Sequence, residues 1–129
     1  MLTLPWTAAP GPHRHLRCTV FAARLPVRSW KDLPRVLRRA LSLRRRLART
    51  PGLIGHAVAL HGRAVWTVSA WTDRKALARF DRDAAHRDAK TALRPHLLPS
   101  TLAVWTCPIE DLPVPWAEVR ARLAAVGPR

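Results

Sequence analysis

Histidine, arginine and carboxylate side chains hold most of the chemistry open to this chain of 129 residues, which has 6 His, 8 Asp or Glu and no Tyr. His86 stands first among them. It falls near the start of the alanine-rich segment "AAHRDAK", and a helix N-terminus there disfavours the imidazolium and leaves a neutral ring able to accept or donate a proton. The plainer alternative is a surface histidine at a helix edge. Arg44 is the second candidate. It projects from the middle of an apolar stripe in "RVLRRALSLRRRLA" (35–48), where a cation can face an anionic or phenolic group and steady developing negative charge. The alternative is a long stem snorkelling past the core. His56, Trp66, Trp71 and Phe80 are the candidates for contact with a substrate. By strand parity His56 and His61 point to opposite faces, as do Trp66 and Trp71, so neither pair shares one pocket.

Other chemistries lack their residues. The chain has no Gly-rich phosphate loop, no HExxH pair and no paired carboxylates at a common site. "HRH" at 13–15 reads as solvated histidines near a terminus. Cys18 and Cys107 have no ligand-spaced neighbours and read as two small buried thiols, so no metal site is expected. A disulfide between them needs an oxidising compartment that the sequence does not suggest.

The formal charge of +15 needs discounting. Of 23 basic residues only Lys31, Lys75 and Lys90 are lysines, and the chain contains no Asn or Gln while carrying 12 Pro. That is the imprint of GC-rich codon bias, which adds arginine whether or not a partner requires it. A basic surface attracts phosphate generically. No groove-reading motif or stacking platform accompanies it, so nucleic-acid binding is not the favoured reading.

These candidates must be positioned by a small set of elements. Residues 1–14 read as an irregular N-terminal arm and 15–129 as a single domain. "LRCTVFAARLPV" (16–27) is a strand bounded by Pro26. Ser29 and Asp32 resemble a capping box, and a helix follows to about Thr50, stopped by "PG" at 51–52. Trp30, Leu33, Val36, Leu37, Ala40, Leu41, Leu47 and Ala48 gather on one face of it. Arg35, Arg38, Arg39, Arg45, Arg46 and Arg49 take the other, a solvated face. "LIGHAVALHG" and "AVWTVSAW" are strands joined at Gly62-Arg63. The stretch 74–94 fits two helical pieces broken at "DRD" (81–83), with Asp83 capping the second. "TLAVWTC" (101–107) is a fourth strand, and a last helix runs from Trp116 to about Ala125. Trp30 and Trp105 are expected in the core.

The order β-α-β-β-α-β plus a terminal helix predicts an α+β, ferredoxin-like sheet with helices on one face. Both faces of the strands are apolar, so the second face is expected to pack against an identical sheet in a homodimer. No apolar run approaches the ~18 residues of a membrane span. No export signal is visible, which makes a cytoplasmic protein the expectation.

The run "GLIGHAVALHGRAVWTVSAWTDRKALARFDRDAAHRDAKTAL" resembles the antibiotic biosynthesis monooxygenase-like family of dimeric α+β barrels. The resemblance rests on "SAWTDRKAL", the aromatic Phe80 and the "AAHRDAK" cluster. Its element order spans residues 16–124 and its specific part 64–93. It implies a pocket between sheet and helices, and a small-molecule oxygenase acting on an apolar or aromatic substrate. His86 would serve as acid or base and Arg44 as the cation, with no cofactor. Haem is the alternative, because some members of the superfamily bind or degrade it. Against haem cleavage, the family's proximal histidine falls at Lys90, its tryptophan at Phe80, and its first-strand Asn is absent. A non-catalytic basic dimeric module binding a metabolite or nucleic acid is the remaining alternative.

Overall fold

In the computed structural model, which describes residues 2–9 and 16–126, the chain runs through ten main elements. They are β1 (Leu2–Thr3), β2 (Thr7–Ala8), β3 (Arg17–Pro26), α1 (Leu33–Leu47), β4 (Leu53–His61), β5 (Ala64–Trp71), α2 (Arg74–Asp81), α3 (Ala84–Leu93), β6 (Thr101–Pro108) and α4 (Trp116–Val126). The "HRH" run lies outside the described residues. No helix of the described residues is long and apolar enough to cross a membrane.

The sheet order is β1-β4-β5-β3-β6, with β2 also on β4, and every pair is antiparallel. The four long strands thus follow the ferredoxin-like order, with an added C-terminal helix. Gly62, at φ 60, supports the tight reversal between β4 and β5. The helix break expected at 81–83 is present. Asp73 caps α2 by accepting from the Ala76 amide at 2.8 Å.

The first helices cover one face of the sheet. Val58 and Val65 of the hairpin pack with Val36 of α1 and Leu93 of α3, while Leu53 and Trp71 pack with Ala76 of α2. The arginines at 35, 38, 39, 45, 46 and 49 are all exposed, as the helical phase requires.

Three expectations need correction. Helices were expected on one face only, but α4 covers the other. Its Val119 and Leu123 bury against Val20, Val68 and Trp105, with Trp6 and Trp116 completing the layer. The i, i+4 spacing of those two α4 residues and the small Ala22, Ala57 and Ala103 beneath them make that packing possible. The apolar surface on which a sheet-to-sheet dimer was argued is therefore largely covered within one chain.

The arm is not irregular where it is described. It pairs with β4, and the Leu4 amide donates to the Val58 carbonyl and the Ala9 amide to Ile54, both at 2.8 Å. This pairing satisfies an edge that would otherwise be open. Trp6 lies so close over Gly55 that a Cβ there would stand 2.5 Å from its ring. Trp30, finally, is 63% exposed rather than buried. It sits in a 3-10 turn, Trp30–Asp32, ahead of α1, so the α-helical phase that placed it inside does not reach it.

Candidate active site

A bulge between Leu53 and Gly55 resets the pleat of β4. Leu53 packs with Trp71 on the helix side, and His56, three residues on, again faces the helices and lines a cleft against α1. His56 is only 3% exposed, and neither ring nitrogen has a hydrogen-bond partner among the described residues. Its neighbour across the β4–β5 ladder is Ser69, whose Oγ accepts from Trp71 Nε1 at 2.9 Å. Its neighbour on the other side is Thr7 of β2.

Arg44 descends from α1 onto this cluster. Its guanidinium donates to Thr7 Oγ1 at 3.0 Å, and no carboxylate among the described residues pairs with it. Thr7, Leu41, Arg44, Arg45, Ala48 and His56 line a shallow, open cleft of about 320 Å³. Burial holds the His56 imidazole below the ordinary histidine range, and the positive charge of Arg44 pushes the same way. The ring is neutral at pH 7 and free to accept a proton. Beside it stands an uncompensated cation suited to the anion that such a transfer leaves.

A second cluster lies under α2 and α3. Trp71 is fully buried and meets Phe80 with ring centroids 5.2 Å apart; Phe80 meets His86 at 4.5 Å. Burial and the Lys90 charge hold His86 below its ordinary range, while Asp81 pulls the other way from 3.7 Å. Asp81 is itself engaged by Lys90 Nζ at 2.6 Å. A broader cleft of about 580 Å³ opens beside Phe80, rimmed by Arg46, Arg49 and Arg79.

Solved structures share this overall fold. The cofactor-independent oxygenase SnoaB from Streptomyces nogalater matches over 74% of this chain and 97% of its own, at 23% identity and a TM-score of 0.59. A candidate antibiotic biosynthesis monooxygenase from Nitrosomonas europaea matches over 67% and 95%, at 12% identity and a TM-score of 0.63. A protein from Shewanella oneidensis matches over 81% and 99%, at 13% identity and 0.66. The chain has the antibiotic biosynthesis monooxygenase-like fold. No protein-family model and no curated protein matches it.

Within this monooxygenase-like fold the expected site residues separate into three places. His56 and Arg44 share the smaller cleft. Trp71, Phe80 and His86 form the aromatic stack under α2 and α3, away from Arg44, so the pairing of His86 with Arg44 is not what the fold brings together. Trp66 lies on the far face, its Nε1 donating to the His61 carbonyl at 3.2 Å and the Arg24 guanidinium 5.5 Å above its ring. It cannot reach a pocket between sheet and helices. The Lys90 ammonium is engaged by Asp81. No group of three or more His, Cys, Asp or Glu able to hold a metal occurs among the described residues.

Two neighbours of the site went unnoticed in the sequence. Ser69 was within reach, because counting back from a two-residue turn at Gly62-Arg63 sets His56 opposite it. Thr7 gave no signal, since its role depends on the arm pairing with β4.

Proposed function

We propose that the protein is a small-molecule monooxygenase-like tailoring enzyme for a hydroxylated aromatic substrate, with His56 as base and Arg44 as the stabilising cation. The reading rests on one observation: a buried, neutral histidine facing a cleft beside an arginine, with neither ring nitrogen partnered and no carboxylate on the arginine among the described residues. Such a ring is costly to keep unless something enters to bond it. The likeness to a cofactor-independent oxygenase supports the reaction class, not the substrate.

In this reaction His56 takes the phenol proton and Arg44 holds the phenolate oxygen. The electron-rich ring reduces oxygen, and a carbon–oxygen bond forms at a ring C–H. Loss of water then leaves a quinone. One oxygen atom stays in the product and the other leaves as water, so the substrate supplies all the electrons. The protein need only provide a base, a cation and a dry cavity.

Oxygen uptake with hydroxylated polycyclic aromatics tests this, with one quinone expected per oxygen consumed. His56→Ala should lower turnover by about 10²–10⁴-fold, the usual contribution of general acid–base catalysis. Unchanged turnover removes His56 from the mechanism. A Soret shift on adding hemin, lost in His56→Ala, would replace this reading with the haem alternative.

The homodimer belongs to the same proposal, on a different surface. With α4 over the second face, the apolar surface left open includes Leu102 and Val104 at 40% and 39% exposure on β6, the last strand of the sheet. Pairing of two β6 edges would cover both. Sedimentation at micromolar concentration should give twice the 14.5 kDa chain mass, and Val104→Glu should return it to one. A wild-type monomer ends the dimer proposal and leaves the fold standing.

A further inference from the structure

Cys18 and Cys107 take no part in the candidate site, yet strand register sets them against each other. They are direct Cα partners in the antiparallel β3–β6 ladder. Directly opposed residues in such a ladder have Cα atoms roughly 4.5–5.5 Å apart, inside the 4.4–6.8 Å window of disulfides. The Sγ atoms already stand 3.6 Å apart, both side chains point into the layer under α4, and Cys18 Sγ–H donates to the Cys107 carbonyl at 3.5 Å. The ladder register already brings this pair within disulfide reach.

We propose that Cys18 and Cys107 are an oxidation site that closes as an intramolecular disulfide and fastens edge strand β6, with α4 behind it, to strand β3. The oxidant is a hydroperoxide. One thiol attacks the peroxide oxygen, giving a sulfenic acid and water when the oxidant is hydrogen peroxide. The second thiol displaces the hydroxyl as another water and forms the S–S bond. Two electrons leave the two sulfurs and reduce one peroxide, and no other reactant enters. The bond closes a loop between residues 89 apart, a long constraint on the unfolded chain.

Burial sets the rate. Desolvation first, with the Cys107 thiol adding to it, pushes the Cys18 thiol up to about 12, so little thiolate exists while the strands are packed. Attack then follows opening of the β6 end, where Cys107 directly precedes the Pro108 that ends the strand. Closure is slow in the native protein, and low denaturant accelerates it. None of this depends on the proposed oxygenase reaction.

The test uses the reduced wild-type protein. It is incubated with excess hydrogen peroxide, quenched with catalase, unfolded, alkylated and weighed intact. The expected product has lost two hydrogens, takes no alkyl group, yields a cross-linked peptide containing both cysteines, and melts several degrees higher until dithiothreitol restores the original midpoint. In Cys107→Ser the same treatment should stop at an oxygen adduct on Cys18. Two alkylatable thiols after oxidation, oxygen adducts on the wild type, or a bonded product that melts no higher would each overturn the proposal. So would a two-hydrogen loss persisting in Cys107→Ser.

Discussion

Replacing His56 with leucine should make the protein more stable and less active. In the folded chain the ring has one N–H and one lone pair, both buried and both without partners among the described residues. Each buried unsatisfied group costs about 1–3 kcal/mol, and an apolar side chain of similar size removes that cost while keeping the contacts. Allowing for imperfect fit, His56→Leu should gain about 1–3 kcal/mol. For a domain of this size that is a midpoint rise of roughly 4–12 °C. The pH dependence sharpens the test. The folded pKa of His56 lies below its unfolded value, near 6.5. Between the two, the unfolded wild-type chain holds a proton that the folded one does not, so wild-type stability falls as pH drops below about 6.5. Leucine has no such dependence. The gap between the two proteins should widen by up to about 1.4 kcal/mol per pH unit over that window. His86 is shifted in the same direction but is present in both, so its effect cancels. Urea titrations at pH 7.5 and 5.5 measure both quantities, and the turnover assay should show activity lost. A variant less stable than wild type, or a gap that does not widen in acid, would mean that His56 is satisfied where it stands and is not a poised base.

Arg44→Met should lower kcat/KM about 10²-fold and move the acid limb of the rate profile to higher pH, because removing the cation lifts one of the two pressures on the His56 pKa; an unmoved limb separates the two residues. His86→Ala should cost about 1–2 kcal/mol through its lost packing on Phe80 and change turnover by less than about threefold, as urea titration and the oxygen electrode would show. Gly52→Ala should cost about 2–4 kcal/mol in a thermal or urea melt, since Gly52 sits at φ 88 and a Cβ there would collide with the Cβ of Ala76.

Most of the fold was legible because its signals are local. Apolar alternation marks β4, β5 and β6, Gly62 marks the hairpin, and "DRD" marks the break between α2 and α3. What was hidden depends on contacts distant in sequence. Nothing in "VPWAEVRARLAAV" says which side of the sheet α4 will take, because both faces offer apolar residues. The arm's pairing with β4 was hidden for the same reason. Trp30 was misplaced by extending a 100° phase through residues that form a tighter turn. The bulge before Gly55 is likewise invisible in composition, yet it sets the direction of His56.

The candidate base therefore changed for reasons of charge compensation. His86 carried the stronger sequence signal, in a helix's first turn beside a family-like cluster. In the fold it stacks on Phe80 and has Asp81 nearby, which Lys90 already neutralises, although its Nδ1 is buried without a hydrogen-bond partner among the described residues. Packing and a nearby carboxylate account for much of that placement, and only one of its nitrogens is both buried and unpartnered among the described residues. His56 is deeper, its nitrogens have nothing to bond among the described residues, and the Arg44 charge beside it makes protonation harder. Packing alone would favour an apolar residue there. Arg44 poses the same problem from the other side of the cleft, held at its tip by one threonine hydroxyl and without a counter-charge among the described residues. A single anionic oxygen bound between them would satisfy both, accepting from the guanidinium and from the imidazole once it holds the proton. A phenol entering the cleft arrives with that proton and leaves that oxygen.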